Sequence, residues 1–201
     1  MTTISIDFSP VDNKEKKLID LTHDLTVDDL RRITNESIDY LLSLIADLDD
    51  EDVTFDPIDP DAHDPHAVEG EETIGWSLAH LIAHVTASSE EGAAFSSLLA
   101  RGIPATERPR YETPWRDITT KAQCVQRLEE SRRMRLAYLD TWPDTPFLDV
   151  NRAGVSERFD AYFGKLNAPA AFLMGLHHEV NHYAQIEEVR RQALVARSRV
   201  R

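Results

Sequence analysis

Apolar positions recur at spacings of three and four along four long stretches of the chain, the period of a buried helix face. The clearest stretch is residues 26–49, where Leu30, Ile33, Ser37, Leu41, Ile45 and Leu48 form one stripe that Leu42 and Leu44 widen. Thr26 with Asp29 three positions later predicts a capping box at its start, with Asp where Glu is usual. A second helix is expected over residues 73–101, stopped by Gly102 and Pro104. Trp76, His80, Ala83, His84 and Ala87 share one of its faces, and the small residues leave room between helices. A third covers 119–142 and ends at Pro143, with Val125, Leu128, Arg132, Leu136 and Leu139 on one stripe. Arg132 in that stripe is read as a snorkelling or salt-bridged arginine, or as an anchor for substrate or a neighbouring loop. The fourth begins at Asn167 or Ala168, with Pro169 suited to a first helical turn, and runs to about Arg197. Four such patterns with almost no strand signal predict an all-α fold, a four-helix bundle with long connections.

The intervening segments are less regular. Residues 1–25 read as an N-terminal arm extended on the body, with Ile4-Ser5-Ile6-Asp7-Phe8 alternating like a short strand. Residues 26–201 form the bundle domain. Pro57, Pro60 and Pro65 among many aspartates make 49–72 an acidic loop, and its His63 and His66 are read as part of a solvated loop. Residues 103–117 are a second loop, rich in Pro and Arg. Residues 143–167 form a third, with a short helix expected at 156–163. Connections of this length often shape a site.

Composition narrows the classes. The chain has 201 residues, 41% hydrophobic and 29% charged, which suits one domain with an ordinary core. Of the formal charge of −14, −12 belongs to residues 47–72, which hold no Lys or Arg, and −2 to the remainder. Such acidity argues against nucleic acid or an anionic membrane as partner. The basic tail of Arg190, Arg191, Arg197, Arg199 and Arg201 is read as a complement to a helix dipole. No run of 18 apolar residues predicts a membrane span, and no leader peptide is read. A single cysteine, Cys124, excludes an internal disulfide and fits a reducing, cytoplasmic setting.

The candidate chemistry lies in the fourth helix, at His178-Glu179-Val180-Asn181-His182-Tyr183-Ala184-Gln185. His178, His182 and Gln185 fall at i, i+4 and i+7 and are expected on one face, where two imidazoles can grip one divalent ion. A second pair, His80 and His84, lies on the second helix. Should the two helices face each other, a three-histidine site forms between them. His177 points elsewhere around the helix and is read as a core or surface histidine. Glu179 is a candidate general base or indirect support for the site, its alternative being a solvent-facing position. Gln185 is a candidate to orient a ligand imidazole or a reacting group. Trp76 and Tyr183 are candidate pocket walls.

Trp76-Ser77-Leu78-Ala79-His80-Leu81-Ile82-Ala83-His84 and the His178–Gln185 stretch resemble the two signatures of the DinB/YfiT-like superfamily of four-helix bundles. The resemblance spans about residues 26–197. It implies one ligand from the second helix and a pair from the last. Trp76 stands eight before His84, as the family's Trp stands before its ligand, which implies His84, His178 and His182 as the set, with His80 in reserve. Gln185 stands three after the second ligand of the pair, also as in the family. The acidic insert and Asn181, where His is common, depart from the pattern. Zinc or nickel are the metals expected first, iron or manganese next. The resemblance also implies a small-molecule substrate and metal-dependent hydrolysis or thiol transfer, with a low-molecular-weight thiol as cosubstrate. A homodimer through exposed helix faces is expected.

Two other readings stand beside this one. His178-Glu179-Val180-Asn181-His182 satisfies His-Glu-x-x-His, the zinc-protease pattern. Gln185 and Glu188 stand where the extended form needs Gly and His, only 19 residues follow His182, and no sheet edge is expected to hold a peptide. A bundle that binds metal or a small molecule without turnover, or an interaction protein, is the non-enzymatic alternative. An open coordination position in a cleft separates the enzyme from the binder.

Overall fold

The computed structural model describes residues 4–60, 62–63 and 69–200. Among them the chain forms helices α1 (Ser9–Asp12), α2 (Val27–Ile45), α3 (Asp50–Val53), α4 (Leu78–Ala100), α5 (Lys121–Asp140), α6 (Glu157–Phe163), α7 (Ala168–Asn181) and α8 (Tyr183–Val200). Single 3-10 turns lie at Leu18–Leu21 and Trp115–Asp117. No strand is present among the described residues, and no helix is long and apolar enough to cross a membrane.

Local chemistry sets most helix starts. The Thr26 hydroxyl accepts from Asp29 N at 3.1 Å while the Asp29 carboxylate accepts from Thr26 N at 3.0 Å, the expected capping box. Thr120 and Gln123 repeat the motif on α5. Asn167 caps α7, with Pro169 in its first turn, and Ser156 caps α6. Helix α4 begins five residues later than the apolar pattern suggested. Ser77 accepts from His80 N and starts the helix at Leu78, so Trp76 stands outside it, free to turn over the histidine face.

Helices α2, α4, α5 and the α7–α8 pair make the bundle. Helix α4 packs most extensively on α7 and next on α5; α2 lies against α5, and α8 against α3, α2 and α4. Nearly every α4 side chain is buried; His80, His84 and Ser88, four apart, are partly exposed along one strip. Two glycines let α4 and α7 approach closely. A Cβ on Gly175 would lie 2.6 Å from Ser88 O, and one on Gly92 would lie 2.8 Å from Ala171 O.

Four patterns came out differently. Ile4–Phe8 is not a strand: the segment turns into α1, and Ile4, Phe8, Val11 and Leu18 enter the core beside Leu30, Phe95 and Phe172. The buried face of α5 carries Cys124, Leu128, Ser131, Arg135 and Leu139 rather than the stripe through Arg132. Arg132 instead pairs with Asp39 and Glu129 and donates to Asn35, the salt-bridged alternative. The fourth helix is interrupted at His182, whose N–H donates to Glu179 O, one residue short of the α-helical partner. The basic tail does more than face a helix end: Arg190 pairs with Asp47, and Arg197 with Asp49 and Asp52 of the acidic belt.

Candidate metal centre

The packing of α4 on α7 brings three imidazoles together. His84 comes from the partly exposed strip of α4, His178 from the last turn of α7, and His182 from the break that follows. Ring nitrogens of the three lie within 4.8 Å of one another. Nε2 of His84 and Nε2 of His178 are 2.8 Å apart. Metal–nitrogen bonds of about 2.0–2.1 Å put tetrahedral ligand nitrogens about 3.4 Å apart, a spacing that small ring rotations reach.

The outer nitrogens are held. His182 Nδ1 lies 2.8 Å from Gln185 Oε1, which aims the opposite nitrogen toward its partners. His84 Nδ1 lies 3.4 Å from Glu112 Oε2 and 3.4 Å from Arg110 Nη2. Burial, then the proximity of His182 and His84, pushes the His178 imidazole down to about 3. Burial also lowers His182, against the opposing hydrogen bond that its ring donates to Gln185. Neutral imidazole is the form that binds a metal ion. Three converging imidazoles, two of them with an outer nitrogen held from behind, fit a divalent cation.

A cavity of about 790 Å³ opens beside the cluster and reaches His84 and His178. Trp76 roofs this end, its ring centroid 4.7 Å from that of His84 and 6.0 Å from that of His182. His80 stacks between Trp76 at 4.3 Å and Trp115 at 4.6 Å. It lines the cavity but lies outside the three-histidine group.

The loop after α4 supplies a charged wall that the sequence reading left unassigned. Arg108 donates to both Glu91 oxygens at 2.6 and 2.8 Å, and Arg110 donates to Glu112 at 2.6 Å. Burial favours the neutral Glu112 carboxyl, but hydrogen bonds from His84 and Arg110 and their charges outweigh it and hold the group at about 2. The same contest, with Arg108 chiefly opposing burial, lowers Glu91. One signal was available: Arg108, Arg110 and Glu112 alternate around Pro109 outside any helix, and all three side chains turn toward α4.

Glu179 and Tyr183 are placed otherwise than expected. Glu179 is fully buried and neither faces solvent nor lines the cavity. Its Oε2 accepts from Arg135 at 2.6 Å and Ser89 at 2.7 Å, and its Oε1 accepts from the Tyr183 hydroxyl at 3.0 Å. Arg135, itself 1% exposed, also donates to Ser131 and Ser37. This network joins α2, α4, α5, α7 and α8 behind the histidines. A carboxylate so engaged cannot play the base of a His-Glu-x-x-His protease, which must face the reacting group. Tyr183 is a member of the network and packs on Tyr40 at 4.8 Å; it is not a cavity wall. His177 is buried and meets Asp12 of α1 at 2.7 Å. His63 is exposed, and His66 lies outside the described residues. Cys124 is buried, and burial together with the Asp50 charge pushes its thiol up to about 12.

No curated protein and no solved structure matches the chain significantly. The sequence model of the DinB superfamily matches residues 12–186, a span that contains α2 through α7, the cavity wall and all three converging histidines. The chain therefore belongs to the DinB superfamily.

Proposed function

We propose that the protein is a metal-dependent enzyme acting on a small molecule, with S-transfer from a low-molecular-weight thiol as the first assignment and hydrolysis as the second. The observation that carries this reading is the three-imidazole cluster opening onto a cavity of about 790 Å³. His84, His178 and His182 would hold the ion, zinc or nickel first and iron or manganese next. A divalent ion there supplies Lewis acidity to a coordinated nucleophile. Gln185 orients His182, and Glu112 with Arg110 braces His84.

The proton inventory favours a thiol. An ordinary thiol has a pKa of about 8.5 and needs little help to ionise near neutrality, whereas water, even lowered to about 7 by a bound metal ion, is commonly paired with a base that takes its proton as it attacks. Glu112, beside His84, is taken by Arg110. Glu91 is taken by Arg108, and Glu179 by Arg135. Access from the cavity also supports turnover over a closed structural site, which would want a fourth protein ligand.

Elemental analysis of protein purified without an affinity tag tests the ligand set. Wild type should carry a stoichiometric divalent metal. His182→Ala should lose most of it while helical circular dichroism stays unchanged. Full metal retention in that variant removes His182 from the set. The metal-loaded protein should then show activity in a thiol-transferase screen that metal-free protein lacks.

A further inference from the structure

We propose that the end of the cavity remote from the histidines is a subsite for a single carboxylate, bound by Arg152 among apolar side chains, so that the substrate is an elongated molecule with an apolar segment next to that carboxylate. This rests on reading the cavity as the substrate site.

Arg152 lines the cavity, and its guanidinium sits 4.1 Å over the Phe95 ring. Its backbone N–H donates to Leu166 O, which anchors the residue on the body of the protein. Yet its side chain donates no hydrogen bond and meets no carboxylate within ion-pair distance among the described residues, and its Nε is buried without a partner. Burial lowers its affinity for its proton, with the nearby Glu91 charge opposing. Neighbouring charges are already matched: Glu91 is taken by Arg108, and Glu112 by Arg110. Three arginines against two glutamates leave one positive charge on this wall, enough for one singly charged anion. A planar guanidinium is suited to a carboxylate, which it can grip through two parallel hydrogen bonds.

The length of the substrate follows from α4. Eleven residues separate His84 from Phe95, a rise of about 16 Å at 1.5 Å per residue. The Arg152 end of the cavity is walled by Phe95, Phe159 and Leu166, while between it and His84 helix α4 presents Ser88, Glu91 and Gly92. A molecule with an apolar segment beside its carboxylate fits this arrangement, with its reacting group at the histidines and its carboxylate at Arg152.

Isothermal calorimetry with straight-chain ω-mercaptoalkanoates, the matched ω-mercaptoalkanols and the matched phosphonates tests this on metal-free and metal-loaded protein. Wild type should bind the carboxylate about tenfold more tightly than the alcohol, the worth of a charged hydrogen bond. Arg152→Met should abolish that preference, and Arg152→Lys should reduce it. A preference absent from wild type, or unchanged in either variant, overturns the proposal, and so does tighter binding of the phosphonate. Arg152→Lys decides the matter should the methionine variant fail to fold. The preference should persist without metal. Failure to bind metal with the preference intact would sink the metal-site reading and leave this subsite standing.

Discussion

His178 and Glu179 are neighbours in the chain and face different surroundings. The imidazole meets His84 at the mouth of the cavity, while the carboxylate turns into the bundle to meet Arg135. Both members of that ion pair have lost nearly all contact with water, so each depends on the other. Removing one partner of such a pair costs about 3–5 kcal/mol, because the survivor stays buried and unmatched. Arg135→Met should therefore destabilise by about that amount in urea denaturation. Adding Glu179→Gln should recover most of the loss, since Gln keeps hydrogen-bonding capacity for Ser89 and Tyr183. Additive losses in the double variant would show that the two residues act independently.

At the scale of elements, the metal centre depends on how closely α4 and α7 approach. The backbones of Ser88 and Gly175 meet where any side chain on residue 175 would intrude: a Cβ would sit 2.8 Å from Ser89 Cα. Those atoms are helical backbone and cannot swing aside. Gly175→Ala should push the helices apart at a cost of about 1–3 kcal/mol. It stands three residues before His178, so metal affinity should fall with stability, in contrast to a surface substitution on α5. Thermal unfolding and a metal-chelator competition on the same samples would check both effects. Unchanged affinity would mean that the histidine geometry is set elsewhere than at this contact.

Across the whole molecule, the chain's two ends are tied into the body that carries the site. Phe8 is 3% exposed and its ring lies 5.1 Å from that of His177, the residue before the ligand candidate His178. His177 in turn meets Asp12. At the other end, Arg197 reaches Asp49 and the buried Asp52. A large aromatic lost from a packed interior costs about 3–5 kcal/mol, so Phe8→Ala should lower the midpoint of one cooperative transition. A separate early transition for the N-terminal segment, with the main one unmoved, would contradict its place in the common core.

Much of this was legible in the residues themselves. Helix identity, the caps at Thr26 and Asn167 and the turn spacing of His178 and His182 depend on contacts within a few residues, which a sequence displays directly. Resemblance to the superfamily pointed to His84 over His80, and the ring nitrogens of His84, not His80, converge on the pair. Four features needed the tertiary structure: the burial of Arg135 in place of Arg132, the inward turn of Glu179, the break at His182, and the wall built by Arg108, Arg110 and Glu112. The burial of Arg135, the turn of Glu179 and the wall each depend on a partner far away in the chain. Periodicity states that a face is buried but not against what, and a charged residue can enter a core only where another helix brings its counter-charge.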